Sequence, residues 1–387
     1  MTAFRLKWLP RMDAVDPAAW NALALPLATP FLEWEWLHLM EASGSAVPER
    51  GWVPCHLTVW SGSSLVAAAP LYIKTHSAGE FVFDHAWAEV ARQLQVGYFP
   101  KLVGMSPFTP VAAYRFLVAP GEDEKALTAV MFQGIEELVA RYGLSGCGFN
   151  YVDPQWRRLP EDHGYRAWTH QGFVWRNQGF HCFDDFLGIF KSNQRRNIRR
   201  ERRALAPQGL SVVPVRGTEA PAAYFAAMHA FYTRTNDQFG PWAARFLTRE
   251  FFLQLPESFR HRVLFMAAFN GRPRTAPVGM ALLVTKGPHL YGRYWGAREP
   301  AHALHFNACY YQPIEWAIAH GLETFDPGIG GYHKVRRGFE AVPSFSLHRF
   351  RDPRMARVLQ RTIGQINRQE EEQMEALNTG RPLAARP

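Results

Sequence analysis

The chain reads as a mixed α/β (α+β) protein made of two similar halves. Three observations predict this. Its 387 residues exceed what one ordinary core uses. Helical and strand periodicities alternate along it. The second half also repeats the order of the first: helices, a meander, a helix, then more strands. The expected division is 1–165, then 166–352 with a basic helix over 184–206, then a charged helix and tail over 353–387.

The first half opens with two short helices over residues 17–42. Asp16 can cap and Pro17 suits the first turn. Phe31, Trp34, Leu37 and Met40 then recur at helical spacing, and Gly44 offers a stop. CHLTVW, SGSS and LVAAAPLYIK read as a hairpin with a polar turn, and Glu80–Asp84 as a third strand. HAWAEVARQLQ reads as a helix. Residues 123–142 give a clearer one, with Leu127, Val130, Met131, Ile135 and Leu138 on one face, and CGFNYV follows as a strand. The link between halves falls within 152–178.

In the second half, Asp184–Ala206 reads as helix and LSVVPVR as strand, and helix signals return at 219–234 and 242–254. Next come RVLFMAAFN, APVGMALLVT and HLYGRYWG. Gly-Arg-Pro and Lys-Gly-Pro separate them, which predicts an antiparallel meander. A helix over about 303–320 and the strand ETFDPG follow. Pro313 must kink that helix or start a new segment. The tail GRPLAARP is expected to fray.

Composition narrows the class. Apolar residues make up 47% and charged residues 20%, a globular balance that excludes a disordered chain. The formal charge of +9 fits a mildly basic enzyme or, more sharply, an anionic partner such as phosphate, a nucleic acid or a lipid head group. Four cysteines without CxxC spacing predict a reduced, cytosolic protein without a zinc site. The N-terminus lacks the apolar stretch of a signal peptide, and no apolar run is long enough to span a bilayer.

Three clusters carry chemistry. In the basic run 191–203, Lys191, Arg195, Arg199 and Arg203 recur four apart, with Arg196 and Arg200 beside them. Like charges at that spacing repel, so a phosphate-binding face competes with a merely solvated helix. The second cluster joins His305, Asn307, Cys309, Tyr311 and Gln312 to the loop Asp326-Pro-Gly-Ile-Gly-Gly-Tyr332-His333-Lys334-Val-Arg336-Arg337, with Arg293 on the preceding strand. Glycines let backbone approach a ligand, and the cations can steady an oxyanion or phosphate. His305 and His333 can move protons near neutral pH. The third cluster is Lys74, His76, Ser77 and Glu80, with Lys101 and Thr109 further on. An ordinary polar connection is the competing reading. Neither a Walker loop, GxGxxG nor GxSxG occurs.

YGRYWG, HFNACYYQPIEWAIAHGL, FDPG and HKVRRGF resemble the Fem-like predicted N-acyltransferases of peptidoglycan biosynthesis or recognition. KTHSAGEFVFDHAWAEVARQLQVGYFPKLVGMSPFTPV and FVWRNQGFHCFDDFLGIFKSNQRRNIRRER match as well, so the resemblance spans about residues 15–352. It implies two tandem GNAT-like acyltransferase domains, each a mixed, largely antiparallel sheet flanked by helices. It also implies transfer of an aminoacyl group from aminoacyl-tRNA to an amine of a peptidoglycan precursor. Lys334 stands where the family's carbonyl-steadying lysine is expected. Three positions depart: Asn307 and Tyr332 replace acidic residues, and Pro313 replaces glycine.

The resemblance and the residues together predict an acyl- or aminoacyl-transferase needing no cofactor beyond its activated donor. Lys334 is the oxyanion donor, and His305, His333, Tyr332 and Asn307 complete the catalytic set. Lys74, His76, Ser77, Lys101, Thr109, Arg293, Tyr311, Gln312, Asp326, Arg336 and Arg337 are expected to hold substrate. Lys191, Arg195, Arg196, Arg199 and Arg203 are expected to hold phosphates. Acyl-CoA is the alternative donor, ranked lower because the turn GAREPAHA has one glycine for a pyrophosphate cradle. A non-catalytic module for an anionic polymer, lipid or tRNA is the other alternative.

Overall fold

A computed structural model describes residues 4–240, 243–271 and 276–384. The strands in chain order are β1 (Phe4–Leu9), β2 (Trp52–Pro54), β3 (His56–Ser61), β4 (Ser64–Ala69), β5 (Leu71–Lys74), β6 (Lys101–Gly104), β7 (Leu117–Val118) and β8 (Gly146–Val152). They continue as β9 (Arg166–Arg176), β10 (Leu210–Arg216), β11 (Val263–Asn270), β12 (Gly279–Lys286), β13 (His289–Ala297), β14 (Thr324–Asp326) and β15 (Glu340–Phe350).

Two compact units form: Met1–His170 with Pro343–Glu372, and Gln171–Val342 with Gln373–Pro387. The boundaries fall inside β9, inside β15 and inside the helix Pro353–Thr379. The units are therefore discontinuous, unlike the linear spans 1–165, 166–352 and 353–387. The reason is strand pairing: Phe345–Phe350 of β15 returns to pair antiparallel with β8 of the first unit. The segment 152–178 is likewise no mere link, since it contains the eleven-residue strand β9.

In the first unit, β1, β3, β4 and β7 form an antiparallel sheet in the order β1-β3-β4-β7. A second set runs β15-β8-β6-β5-β2, with β6 and β8 parallel. Pro70 lacks an N–H to continue β4, so the predicted run LVAAAPLYIK divides between the two sheets. Asp16 and Asp123 cap their helices, accepting from Ala19 N at 2.8 Å and Ala126 N at 3.0 Å. The helix Glu124–Arg141 buries Leu127, Met131, Ile135 and Leu138 of the face its periodicity predicts, while Val130 of that face is half-buried.

The second unit contains the meander. β10 through β13 pair antiparallel in sequence order, β14 adds parallel to β13, and the end of β9 pairs with β14. Its core joins Phe173 and Trp175 of β9, Leu264 and Met266 of β11, Leu283 of β12 and the helical residues Tyr310, Ile314 and Ile318. Arg272 and Pro273 of the Gly-Arg-Pro turn lie outside the described residues, as does Trp242 at the start of the expected helix 242–254; the helix there is Arg249–Ser258.

Several elements differ from expectation. Residues 80–84 are not a strand: Phe81 adopts φ +57° while Glu80 and Asp84 turn inward to Lys101. The expected helix 184–206 divides into Phe183–Gly188 and Ser192–Arg203. The tail docks as far as Ala384, where Lys191 N donates to Pro382 O at 3.0 Å and Ala384 N to Ile189 O at 2.8 Å. Pro313 lies in the first turn of a new α-segment, Gln312–Ala319, after a π-turn over Asn307–Tyr311. The wider turn accommodates the N–H that proline lacks.

β13 packs tightly on the helix Ala222–Asp237. A Cβ added at Gly296 would lie 2.1 Å from Phe231 O. Backbone cannot yield there as a flexible side chain can. Gly296→Ala is expected to destabilise the second unit by about 3 kcal/mol, read as a lowered midpoint in urea unfolding.

Candidate active site

In the second unit a site gathers where the π-turned helix meets the turn Tyr332–Arg337. β14 ends on Asp326, which lies opposite Tyr291 of β13. The chain then curls through Gly328, Gly330 and Gly331, all at positive φ. That curl aims the carbonyls of Gly328 and Ile329 at Lys334, whose Nζ donates to them at 2.7 and 3.1 Å. The glycines thus shape a loop around the lysine. Lys334 is buried, with Phe173 5.2 Å from its Nζ. Burial lowers its pKa to about 8, against the opposing pull of Asp326. Asp326 accepts from Gly328 N at 2.7 Å, and burial raises its own pKa.

Two imidazoles stand beside the lysine. His305 and His333 have ring centroids 6.2 Å apart, and Tyr310 OH lies 2.9 Å from His333 Nε2. Burial lowers the pKa of His305 to about 4, helped by the charges of His333, Arg337 and Lys334. His333 is lowered by burial, then by Arg337 and Lys334. Both rings are therefore neutral at pH 7 and able to accept a proton.

Arg337 braces the cluster. Its Nη2 donates to both oxygens of Glu201 at 2.8 and 2.9 Å, its Nη1 to His333 O at 3.0 Å, and its guanidinium lies 3.4 Å from the Phe306 ring centroid. Tyr311 OH also donates to Glu201. Asn307 Nδ2 donates to Glu201 O at 3.0 Å and Ala303 O at 2.9 Å. Its amide therefore ties two helical segments together, a structural place and not that of a base. Tyr332 is 63% exposed, because the 3₁₀ turn points Lys334, Val335 and Arg337 inward and leaves Tyr332 and Arg336 outside. Gln312 is half-buried, and Arg293 reaches Asp326 electrostatically. Glu201 and Tyr310 were missed from sequence. The signal for Glu201 was its being the one acid within the basic run.

On the basic helix, Arg196, Arg199, Arg200 and Arg203 line an open depression of about 1000 Å³ with Gln208 and His302. Gln208 clasps His302 through both its amide atoms at 3.1 Å. Lys191 precedes the helix and Arg195 is half-buried, so neither belongs to the lining. The face is rotated from the expected stripe because Gln194, Ile198 and Glu201 turn toward the protein.

In the first unit, Lys74, Ser77 and Lys101 come together with Glu80 and Asp84. His76 is exposed, while Thr109 is buried with its hydroxyl on Pro107 O at 2.9 Å, holding its own turn. Among the described residues no three His, Cys, Asp or Glu gather as a metal site requires, and no helix is long and apolar enough to cross a membrane.

A family model described as peptidoglycan biosynthesis/recognition, FemAB-like, matches residues 11–385. The chain belongs to the FemAB-like family. No curated protein sequence matches it. Among solved structures, the C-terminal domain of an Agrobacterium fabrum protein named as a lysylphosphatidylglycerol synthetase aligns with TM-score 0.51 at 10% identity, covering 90% of this chain and 96% of that one. A tandem GNAT protein from the clavulanic acid biosynthesis pathway gives 0.48 at 14% identity, covering 90% and 99%. FemX gives 0.44 at 11% identity, covering 91% and 99%. The fold of this FemAB-like protein is the expected mixed α/β one, sheets flanked by helices. Membership of this family supports a transferase role.

Glu201 offsets a guanidinium that is almost wholly buried. Glu201→Ala is expected to cost about 3 kcal/mol in chemical unfolding, and Glu201→Leu with Arg337→Met to recover most of it.

Proposed function

We propose that this protein transfers an activated acyl or aminoacyl group onto an amine. The observation that carries the reading is the neutral pair His305 and His333 beside the cationic Lys334 and Arg337, within the fold of an acyl-transferring family. In this reading the amine nitrogen attacks the donor carbonyl carbon, and His305 or His333 takes the proton it sheds. Two N–H groups of Lys334 are held by loop carbonyls, so the third is free to meet the oxyanion. The imidazolium then returns the proton to the departing oxygen or sulfur as the acyl–donor bond breaks.

The arginine depression supports a donor that carries phosphate, either an aminoacyl-tRNA or an acyl-CoA. The tRNA ester ranks first. The single glycine of GAREPAHA, Gly296, lies within β13 and is committed to packing on Phe231, so the turn that follows has no glycine to cradle a pyrophosphate. A peptidoglycan-precursor amine is the acceptor class that the family supports. A non-catalytic recognition module is the second reading, favoured by the structural place of Asn307 and the exposure of Tyr332. Binding of total tRNA without transfer across a panel of donors and acceptors would decide for it.

Lys334→Ala is expected to lower the transfer rate roughly 10²–10³-fold, measured by mass spectrometry of the acylated acceptor. The pH profile carries a sharper test. Lys334 must be charged, so activity falls as pH rises through about 8, and Lys334→Arg extends the alkaline limb. The base must be neutral, so the acid limb lies below the ordinary imidazole range, near 4 if His305 serves. Arg200→Ala with Arg203→Ala should weaken binding of total tRNA and flatten the dependence of log K on log salt by about two.

A further inference from the structure

The first unit has its own concentration of buried charge. Trp52, Lys74 and Lys101 are register partners across β2, β5 and β6, so they share one face of the sheet. The loop from Thr75 to Asp84 folds over that face. Lys101 Nζ donates to Ser77 Oγ at 3.0 Å, Glu80 Oε2 at 2.9 Å and Asp84 Oδ2 at 2.5 Å. Tyr98 OH donates to Asp84 at 2.7 Å, and Asn150 Nδ2 to Glu80 Oε2 at 3.3 Å. Every partner is thus used on one side of Glu80. Its other oxygen, Oε1, is buried without a hydrogen bond on a residue only 2% exposed. A buried acceptor left unpaired is costly, and such atoms are rare in folded proteins.

Space adjoins that oxygen. Glu80, Lys101, Asn150 and His348 line a small chamber of about 10 Å³, room for one water-sized group. The chamber shares Tyr98, Ser145 and Phe350 with an open groove of about 440 Å³. Phe99, Leu144 and Met355 give that groove an apolar wall, facing a polar share that includes Ser145, Arg351 and Asp352. Backbone strain sits at the same place. Phe81, next to Glu80, has φ +57°, and Tyr151, with φ +53°, donates its hydroxyl to Phe81 O at 2.6 Å. Two non-glycine residues in the left-handed region, tied to each other beside an unpaired carboxylate oxygen, are the kind of strain that collects at binding sites.

We propose that groove and chamber form a binding site for a small apolar or aromatic molecule ending in a hydrogen-bond donor, an amine or a hydroxyl, whose head passes between Tyr98 and Phe350 to meet Glu80 Oε1. The head must donate, because the one unused group is an acceptor. An anionic head is refused by Glu80 and Asp84 together. The aromatic wall of Phe99 and Phe350 takes the body of the ligand. Burial raises the pKa of Glu80, against the pull of Lys101, so the carboxyl is responsive to what enters the chamber.

Calorimetry on the full chain with 2-phenylethylamine, 2-phenylethanol and 3-phenylpropionate tests this. Saturable one-to-one binding of the amine or the alcohol is expected, and which of them binds identifies the head; the carboxylate should not compete. Glu80→Gln keeps an oxygen for Lys101 and turns an NH₂ into the chamber. It should weaken the donor-headed probe at least about tenfold and let 3-phenylpropionate compete, a reversal that loss of structure would not produce. Gly97 lines the groove, is exposed, and an added Cβ would meet only Phe99 O at 3.5 Å. Gly97→Phe should therefore keep the unfolding transition of the native chain and abolish binding. Failure of both donor-headed probes to bind the native chain, equal binding of 3-phenylpropionate, or binding that survives in folded Gly97→Phe would overturn the proposal. None of these outcomes bears on transfer at Lys334.

Discussion

The ion pair in which Arg337 Nη2 spans both oxygens of Glu201 is the constraint on which the second-unit site depends. It joins the basic helix to the turn that presents Lys334, and it does so with little freedom. Both carboxylate oxygens are engaged by one guanidinium, a carbonyl occupies its other arm, and an aromatic ring lies beneath it. His333 and Lys334 precede Arg337 by only a few residues, so their positions follow from its own. The charges lower the imidazoles in turn, since Arg337 and Lys334 both act on His305 and His333. One ion pair thereby fixes the geometry of the cluster, while burial first, and then the charges of Arg337 and Lys334, lower both imidazoles.

The same pair reinterprets the departures at Asn307 and Tyr332. A carboxylate at 307 would sit beside Glu201 O and Ala303 O, two acceptors with no proton to give it. An amide fits that place and an acid does not. The carboxylate of this site instead comes from Glu201, on another helix, and is spent on Arg337 and Tyr311.

Much of this was legible in the sequence. Turn chemistry marked the meander, in which β11 and β12 each bury one continuous apolar run. The proline at 313 marked a break, and the π-turn supplied it. What escaped was non-local. Glu80–Asp84 carries the β-prone run Phe81-Val82-Phe83, yet the attraction of Lys101 for two carboxylates outweighs that weak preference. β9 was hidden in a polar stretch, WTHQGFVWR, because alternation there is blurred by histidine and glutamine. The true arginine face depended on which turn of the helix Glu201 directs inward, and spacing alone cannot show that. Discontinuous units are likewise invisible to any linear reading.

Three buried lysines show why pairing, more than burial, decides reactivity. Lys101 meets two carboxylates directly, and although burial disfavours its charge, Glu80 and Asp84 raise its pKa above the ordinary value. Lys74 and Lys334 are as deeply buried but are held by carbonyl oxygens and aromatic rings: Ala78 O at 3.4 Å and Trp52 at 3.6 Å for one, Gly328 O, Ile329 O and Phe173 for the other. Dipoles and ring faces attract an ammonium less than a full negative charge does, so desolvation wins and the two fall to about 7 and about 8. A lysine locked to carboxylates is a structural cation. One held by neutral groups keeps its charge only marginally near neutral pH, so a small change in its surroundings is enough to shift its proton, and each unit of this protein contains one.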